Sequence, residues 1–151
     1  MILTMILAQA LTAGPTYPDH KLTPGASDPK ITQATINKTI CLHHYTNDSR
    51  NVSEKTKREV YERYGINYTK HRGEYEVDHF ESLELGGLND ISNLWPQRFS
   101  PKPGAREKDV VETHLKREIC SGKISLDRGR SIIKKDWYAC YLKIKRGGDC
   151  K

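Results

Sequence analysis

"YEVDHFESLELGGLNDISNLWPQ", residues 75–97, is the stretch whose reading decides the fold. Its opening, YEVDHF, alternates as a strand does, with Val77 facing inward and Asp78 and His79 on opposite sides. Gly86-Gly87 allows positive φ and Asn89-Asp90 suits a loop, so LELGGLNDISNLW should turn the chain into a second short strand. Asn93 follows Asp78 by 15 positions, far enough to cross a loop and return beside it. A helix beginning near Ala105 would then bring its first turn toward this hairpin.

Downstream, residues 105–120 place Val110, Val111, His114 or Leu115, and Ile119 at helical spacing, with Gly122 just past the end. A last helix is expected from Leu126 to Tyr141, with Ile132, Ile133, Trp137 and Tyr141 as its core stripe. Upstream, Ser53 is an N-cap for a helix that closes at Gly65 and buries Val60, Tyr61 and Tyr64. Lys55, Lys57, Arg58 and Arg63 of that helix face solvent or phosphate. Thr39 to Leu42, in a β-branched stretch, reads as a short strand. His43 and His44 point to different sides of an extended chain and do not make a paired metal site.

The fold class expected is α+β: a hairpin and helix core with additional flanking helices and an extended N-terminal arm. With 151 residues, one domain is expected over residues 31–151. Residues 14–30 hold four prolines and two glycines, a composition for an extended arm. Residues 1–13 form an apolar run with an A-x-A site at Ala8-Gln-Ala10, read as a secretory signal peptide, though without the usual positive start. That run is too short to span a bilayer, which takes roughly 20 apolar residues. Cys41, Cys120, Cys140 and Cys150 lack C-x-x-C spacing, so a zinc knuckle is not expected. Their even number fits one or two disulfides, in one of three pairings, in an oxidising compartment; buried free thiols are the alternative.

Net charge is +6, which favours a polyanionic partner. Its distribution says more: residues 71–100 sum to −4, and residues 101–151 to +7. An acidic centre thus sits between basic arms. Hydrolysis of a phosphodiester needs an activated nucleophile and a sink for charge on the leaving oxygen. A neutral imidazole takes a proton from water near pH 7, and a carboxylate holds a hard cation. Asp78-His79 offers one of each, with Asn93 able to bond backbone across the loop and hold the histidine strand. This reading sets an imidazole and a carboxylate beside one cavity, where an ion and a scissile phosphate meet.

The combination V-D-H, G-G and N-L, followed by a helix, resembles the HNH endonuclease motif, whose ββα-metal fold clasps one divalent ion. EVDH, LELGG and NDISNLWPQ are similar in particular to a group of small bacterial HNH proteins. The likeness extends to KLTPGASDP, TQATINKTIC and YG upstream, and to KDVVETHLKREICSGKISL and DW downstream, covering roughly residues 20–140. The resemblance implies cleavage of DNA with little sequence preference, leaving a 5′-phosphate and a 3′-hydroxyl. It matches His79 to the general base, Asp78 to a metal ligand and Asn93 to the middle Asn. Many HNH proteins open the helix with Asn or His, but here the stretch reads PGAREKD. Asp109 is therefore the candidate second ligand, with Glu107, Glu112 and His114 as alternatives. Glu84 is read as structural. Mg²⁺ is the expected ion, with Mn²⁺, Zn²⁺ or Ni²⁺ as alternatives. Arg72, Arg98, Lys102, Arg106 and Lys108 are candidates to grip DNA phosphates. The expected setting is a monomer, secreted or periplasmic and not membrane-bound; otherwise it is cytoplasmic or phage-encoded. A non-catalytic nucleic-acid-binding module on the same scaffold is the alternative function.

Overall fold

A computed structural model describes residues 17–150; the expected signal peptide, residues 1–13, lies outside the described residues. Helix and strand are mixed, as the α+β reading requires. Short helices α1 (Tyr45–Ser49), α2 (Glu54–Arg63) and α3 (Tyr68–His71) precede strand β1 (Tyr75–His79). Strand β2 (Leu94–Arg98) pairs antiparallel with β1, setting Asp78 opposite Trp95 and His79 opposite Leu94. Helices α4 (Ala105–Cys120) and α5 (Leu126–Lys145) complete the described chain.

Local chemistry accounts for the boundaries. Ser53 caps α2 by accepting the N–H of Thr56 at 3.1 Å, and Gly65 ends the turn beyond it at φ +69°. At the start of α4 the Glu107 carboxylate reaches back to the Gly104 N–H at 2.8 Å. Ser125 caps α5 through the Arg128 N–H at 3.2 Å. That helix continues past the expected Tyr141 to Lys145, broken at Asp136, whose carboxylate accepts the Ala139 N–H at 2.9 Å as an internal cap.

The main core lies where α4 and α5 pack on each other: Val111, Leu115 and Ile119 meet Leu126, Ile132, Ile133 and Trp137, with Ile31, Ile36, Ile40 and Leu85 closing one side. Val110, expected in this stripe, is exposed, because the buried face of α4 runs through Val111 and Leu115 instead. Cys41–Cys120 and Cys140–Cys150 are disulfides, and no cysteine is free. Two disulfides fit an oxidising compartment such as the periplasm or the cell exterior. No described helix is long and apolar enough to cross a membrane.

Thr39–Leu42 is not a strand. A 3-10 turn at Ile36–Lys38 leads into further turns there. The Thr39 hydroxyl bonds the Thr35 carbonyl at 2.8 Å, and the Cys41 N–H bonds Ile36 O at 3.0 Å. Local side-chain and turn bonds thus take the backbone away from any ladder.

The N-terminal arm wraps the β1–β2 loop. Gly25 N–H bonds Ser92 O at 3.0 Å, Asp28 N–H bonds Gly86 O at 2.8 Å, and Leu88 N–H bonds Ala26 O at 2.9 Å. Thr23 is fully buried, its hydroxyl donating to Leu94 O at 3.0 Å.

Candidate functional site

β1 delivers Asp78 and His79 at its inner end, and α4 delivers Lys108, Asp109 and Glu112 from its first two turns. Asn93 sits at the end of the loop that joins the strands and is 0% exposed. Its Oδ1 accepts the N–H of Glu81 (2.8 Å) and of Ala26 (3.2 Å). Its Nδ2 donates to Leu88 O (2.8 Å) and Glu81 O (3.0 Å). Four bonds saturate this amide. It ties β1, the loop and the N-terminal arm together and has nothing left to offer a substrate, so its part is to hold the site rather than to react.

Two glycines shape the same loop for different reasons. Gly86 lies at φ +89°, a conformation that L side chains rarely adopt. At Gly87 the need is space: an added Cβ would stand 1.7 Å from the Glu81 carbonyl oxygen.

Asp78 is 2% exposed. Its Oδ1 accepts the His79 N–H at 2.7 Å, and its Oδ2 accepts Lys108 Nζ at 2.8 Å. Lys108 also donates to His79 O at 3.0 Å and to Glu112 Oε1. All three ammonium protons are used, and the residue is 2% exposed. Lys108 is therefore not a phosphate-gripping residue, contrary to the sequence expectation: it is an internal cation bolting α4 to β1. Burial alone would lower its pKa, but the Asp78 and Glu112 carboxylates outweigh that and raise it. Burial, with Asp78 close by, pushes the Glu112 carboxyl up, since one ammonium shared by two buried carboxylates cannot fully neutralise both.

His79 is 1% exposed. Burial holds its pKa below the ordinary histidine value, the pull of Asp78 and a hydrogen bond to Asn89 partly opposing this. Nε2 lies 2.9 Å from Asn89 Oδ1, and Asn89 Nδ2 donates to Ser49 O at the end of α1 at 2.7 Å. The buried Nδ1 bonds no protein group. The clefts of the described surface do not lie beside Asp78 and His79, contrary to the expectation of a cavity shared by the two. A cleft of about 650 Å³ is lined by His20, Phe80, Glu81, Arg130 and Lys134 among others, and by neither site residue. Asp109 instead lines a cleft with Thr113, His114 and Arg117.

Around this pair the carboxyls crowd. Asp109 is exposed as a residue, yet partial shielding and the Asp78 charge raise its pKa. Burial, then Asp78 and Asp109, raise Glu76 on β1, while Arg50 at 3.3 Å draws it down. Glu84 is raised by burial and by Asp109 against the pull of Lys116, and its Oε2 bonds no protein group. Sequence marks Asn89 only as a loop former and does not single out Glu76, although Glu76 lies two positions before Asp78, on the same face of the strand.

Among the described residues, one group of three metal-type donors lies within 4.8 Å: His114, Glu118 and Asp149. Cations already attend it. Arg117 Nη2 is 3.0 Å from His114 Nδ1, and Lys123 Nζ is 3.1 Å from Glu118 Oε1. Of the remaining expected phosphate contacts, Arg72, Lys102 and Arg106 are exposed and Arg98 is half-buried. Arg106 lies over the Phe99 ring at 5.3 Å and Lys102 stands 3.7 Å from Glu107.

The chain matches no known family model, no curated protein and no solved structure among those compared with it. The functional reading therefore rests on its own residues.

Proposed function

We propose that this protein is an endonuclease of HNH type that hydrolyses DNA phosphodiester bonds with little sequence preference. His79 would take a proton from the attacking water. One observation carries the reading: a shielded imidazole with a depressed pKa, one nitrogen bonded to Asn89 and the other bonded to no protein group, set beside a crowd of carboxylates. Such a ring is neutral at pH 7 and able to accept a proton. The order of strand, glycine loop, strand and helix around it supports an HNH hairpin-helix core.

Asp78 and Asp109 raise Glu76, and Asp78 raises Asp109, a surplus of negative charge that would attract a divalent cation, Mg²⁺ first, although these three carboxylates do not converge within 4.8 Å as His114, Glu118 and Asp149 do. Asp109 and Asp78 would hold it, Asp78 through lone pairs that its two present bonds leave over. Such an ion would supply charge neutralisation at the leaving 3′-oxygen. Arg72, Arg98, Lys102 and Arg106 would contact phosphates, while Lys108 keeps Asp78 fixed from behind.

A second reading is favoured by a different observation. His79 is 1% exposed, and a lysine ammonium already faces Asp78. A non-catalytic DNA-binding module on the same scaffold, its metal site lost where the helix opens with Gly104-Ala105-Arg106, accounts for that burial. Nicking of supercoiled plasmid separates the two. Hydrolase activity that appears with Mg²⁺ or Mn²⁺ and stops with EDTA is the expected result; DNA retention with no nicking at any metal concentration supports the module.

A further inference from the structure

The two bonds of Asn89 can be read only one way round. Its amide nitrogen lies 2.7 Å from the Ser49 carbonyl, which accepts and cannot donate. Turning the amide over would set Oδ1 against that carbonyl, oxygen to oxygen. Oδ1 therefore faces the imidazole, 2.9 Å from Nε2. An amide oxygen has no proton, so this contact is a hydrogen bond only when Nε2 carries one. A neutral ring has a single N–H, which leaves the lone pair on Nδ1, the buried atom that no protein group bonds.

We infer that Asn89 is a positioning residue: anchored on Ser49 at the end of α1, it fixes His79 as the Nε2–H tautomer and makes Nδ1 the basic atom. The inference rests on the proposed role of His79 as base. In that reaction an O–H bond of water breaks and its proton goes to Nδ1. The oxygen's electron pair forms the new bond to phosphorus as the P–O3′ bond breaks, and the leaving oxygen takes a proton from solvent. The imidazolium so formed keeps its Nε2–H on Asn89 Oδ1, whose partial negative charge stabilises the cation. Asn89 lies in the loop ten positions after His79, where sequence marks it only as a loop former.

The test uses the full, oxidised chain labelled with ¹⁵N, without DNA or metal, at a pH above the titration of the ring. Long-range ¹H–¹⁵N correlations of the imidazole should show Nε2 protonated and Nδ1 bare; an Nδ1–H ring overturns the inference. Asn89→Leu removes the acceptor and should give a mixture; an unchanged Nε2–H pattern in the folded variant overturns the role of Asn89. If Asn89→Leu does not fold, the wild-type spectrum still decides the tautomer. A protein that shows Nε2–H yet cleaves no DNA counts against the hydrolase reading alone.

Discussion

A lysine with three hydrogen bonds and almost no exposure to water is costly to bury, and breaking its partnership costs more. Lys108→Met would leave Asp78 and Glu112 facing each other with no cation between them. Removing one partner of a buried ion pair typically costs about 3–5 kcal/mol. Urea denaturation should show a loss of that size, and a change under about 1 kcal/mol would mean the pair is not a structural bolt. The sequence disguises this residue, since a lysine among Arg106, Glu107 and Asp109 reads as helix surface. A signal was present all the same. Lys108 stands three residues before Val111, four before Glu112 and seven before Leu115, on the buried stripe of α4.

His79 gives a second prediction at this scale. Its pKa is lowered in the fold by burial, so the unfolded chain binds this proton near pH 6.5 while the folded one does not. The folded state thus loses stability as pH falls below about 6.5, until the folded ring itself is protonated. An NMR titration of the ring protons should place its midpoint below that of an exposed histidine. A midpoint at or above the ordinary value would contradict a shielded neutral base.

Among the elements, the loop between β1 and β2 leaves little room for change. Gly87→Ala would drive a methyl group into the Glu81 carbonyl. Backbone there is pinned by the Asn93 amide and cannot move aside cheaply. Overpacking of this kind costs about 1–3 kcal/mol or more, measurable as a lowered urea midpoint. A Gly87→Ala protein as stable as the wild type would show that the loop relaxes freely. Much at this scale was legible in the sequence. The spacing of residues 105–120 gives α4, and Ser53 marks the start of α2 because an N-cap is a local signal. Thr39–Leu42 misled because β-branched residues favour strands only where a partner strand is available. Here local turn bonds and the link from Cys41 to Cys120 hold the segment instead. Gly87 reads in sequence as a turn former, but its need is space, set by a contact across the loop that spacing cannot disclose.

For the molecule as a whole, charge sets the proposed division of labour. The acidic centre gathers around Asp78 and Asp109, and the exposed cations Arg72, Lys102 and Arg106 flank it along the sequence. If those cations hold phosphates, binding to DNA weakens steeply with salt. Replacing Lys102 and Arg106 together with Ala should weaken binding to all sequences alike and lower the slope of log K against log salt by about 2. An unchanged slope would remove both from the interface. The site itself was half legible: Asp78, His79 and Asn93 stand on one hairpin, but the shielding of His79 and the engagement of Asp78 by Lys108 arise from packing between β1 and α4, 30 residues apart in the chain. The most direct measurement is cleavage of plasmid DNA under saturating protein and Mg²⁺, comparing wild type with folded, disulfide-bonded His79→Ala. Nicking by the wild type, with a fall of about 10²-fold or more in the variant while DNA retention is kept, is the predicted result. Equal rates for the two proteins, or no nicking by the wild type with any divalent ion, would contradict it.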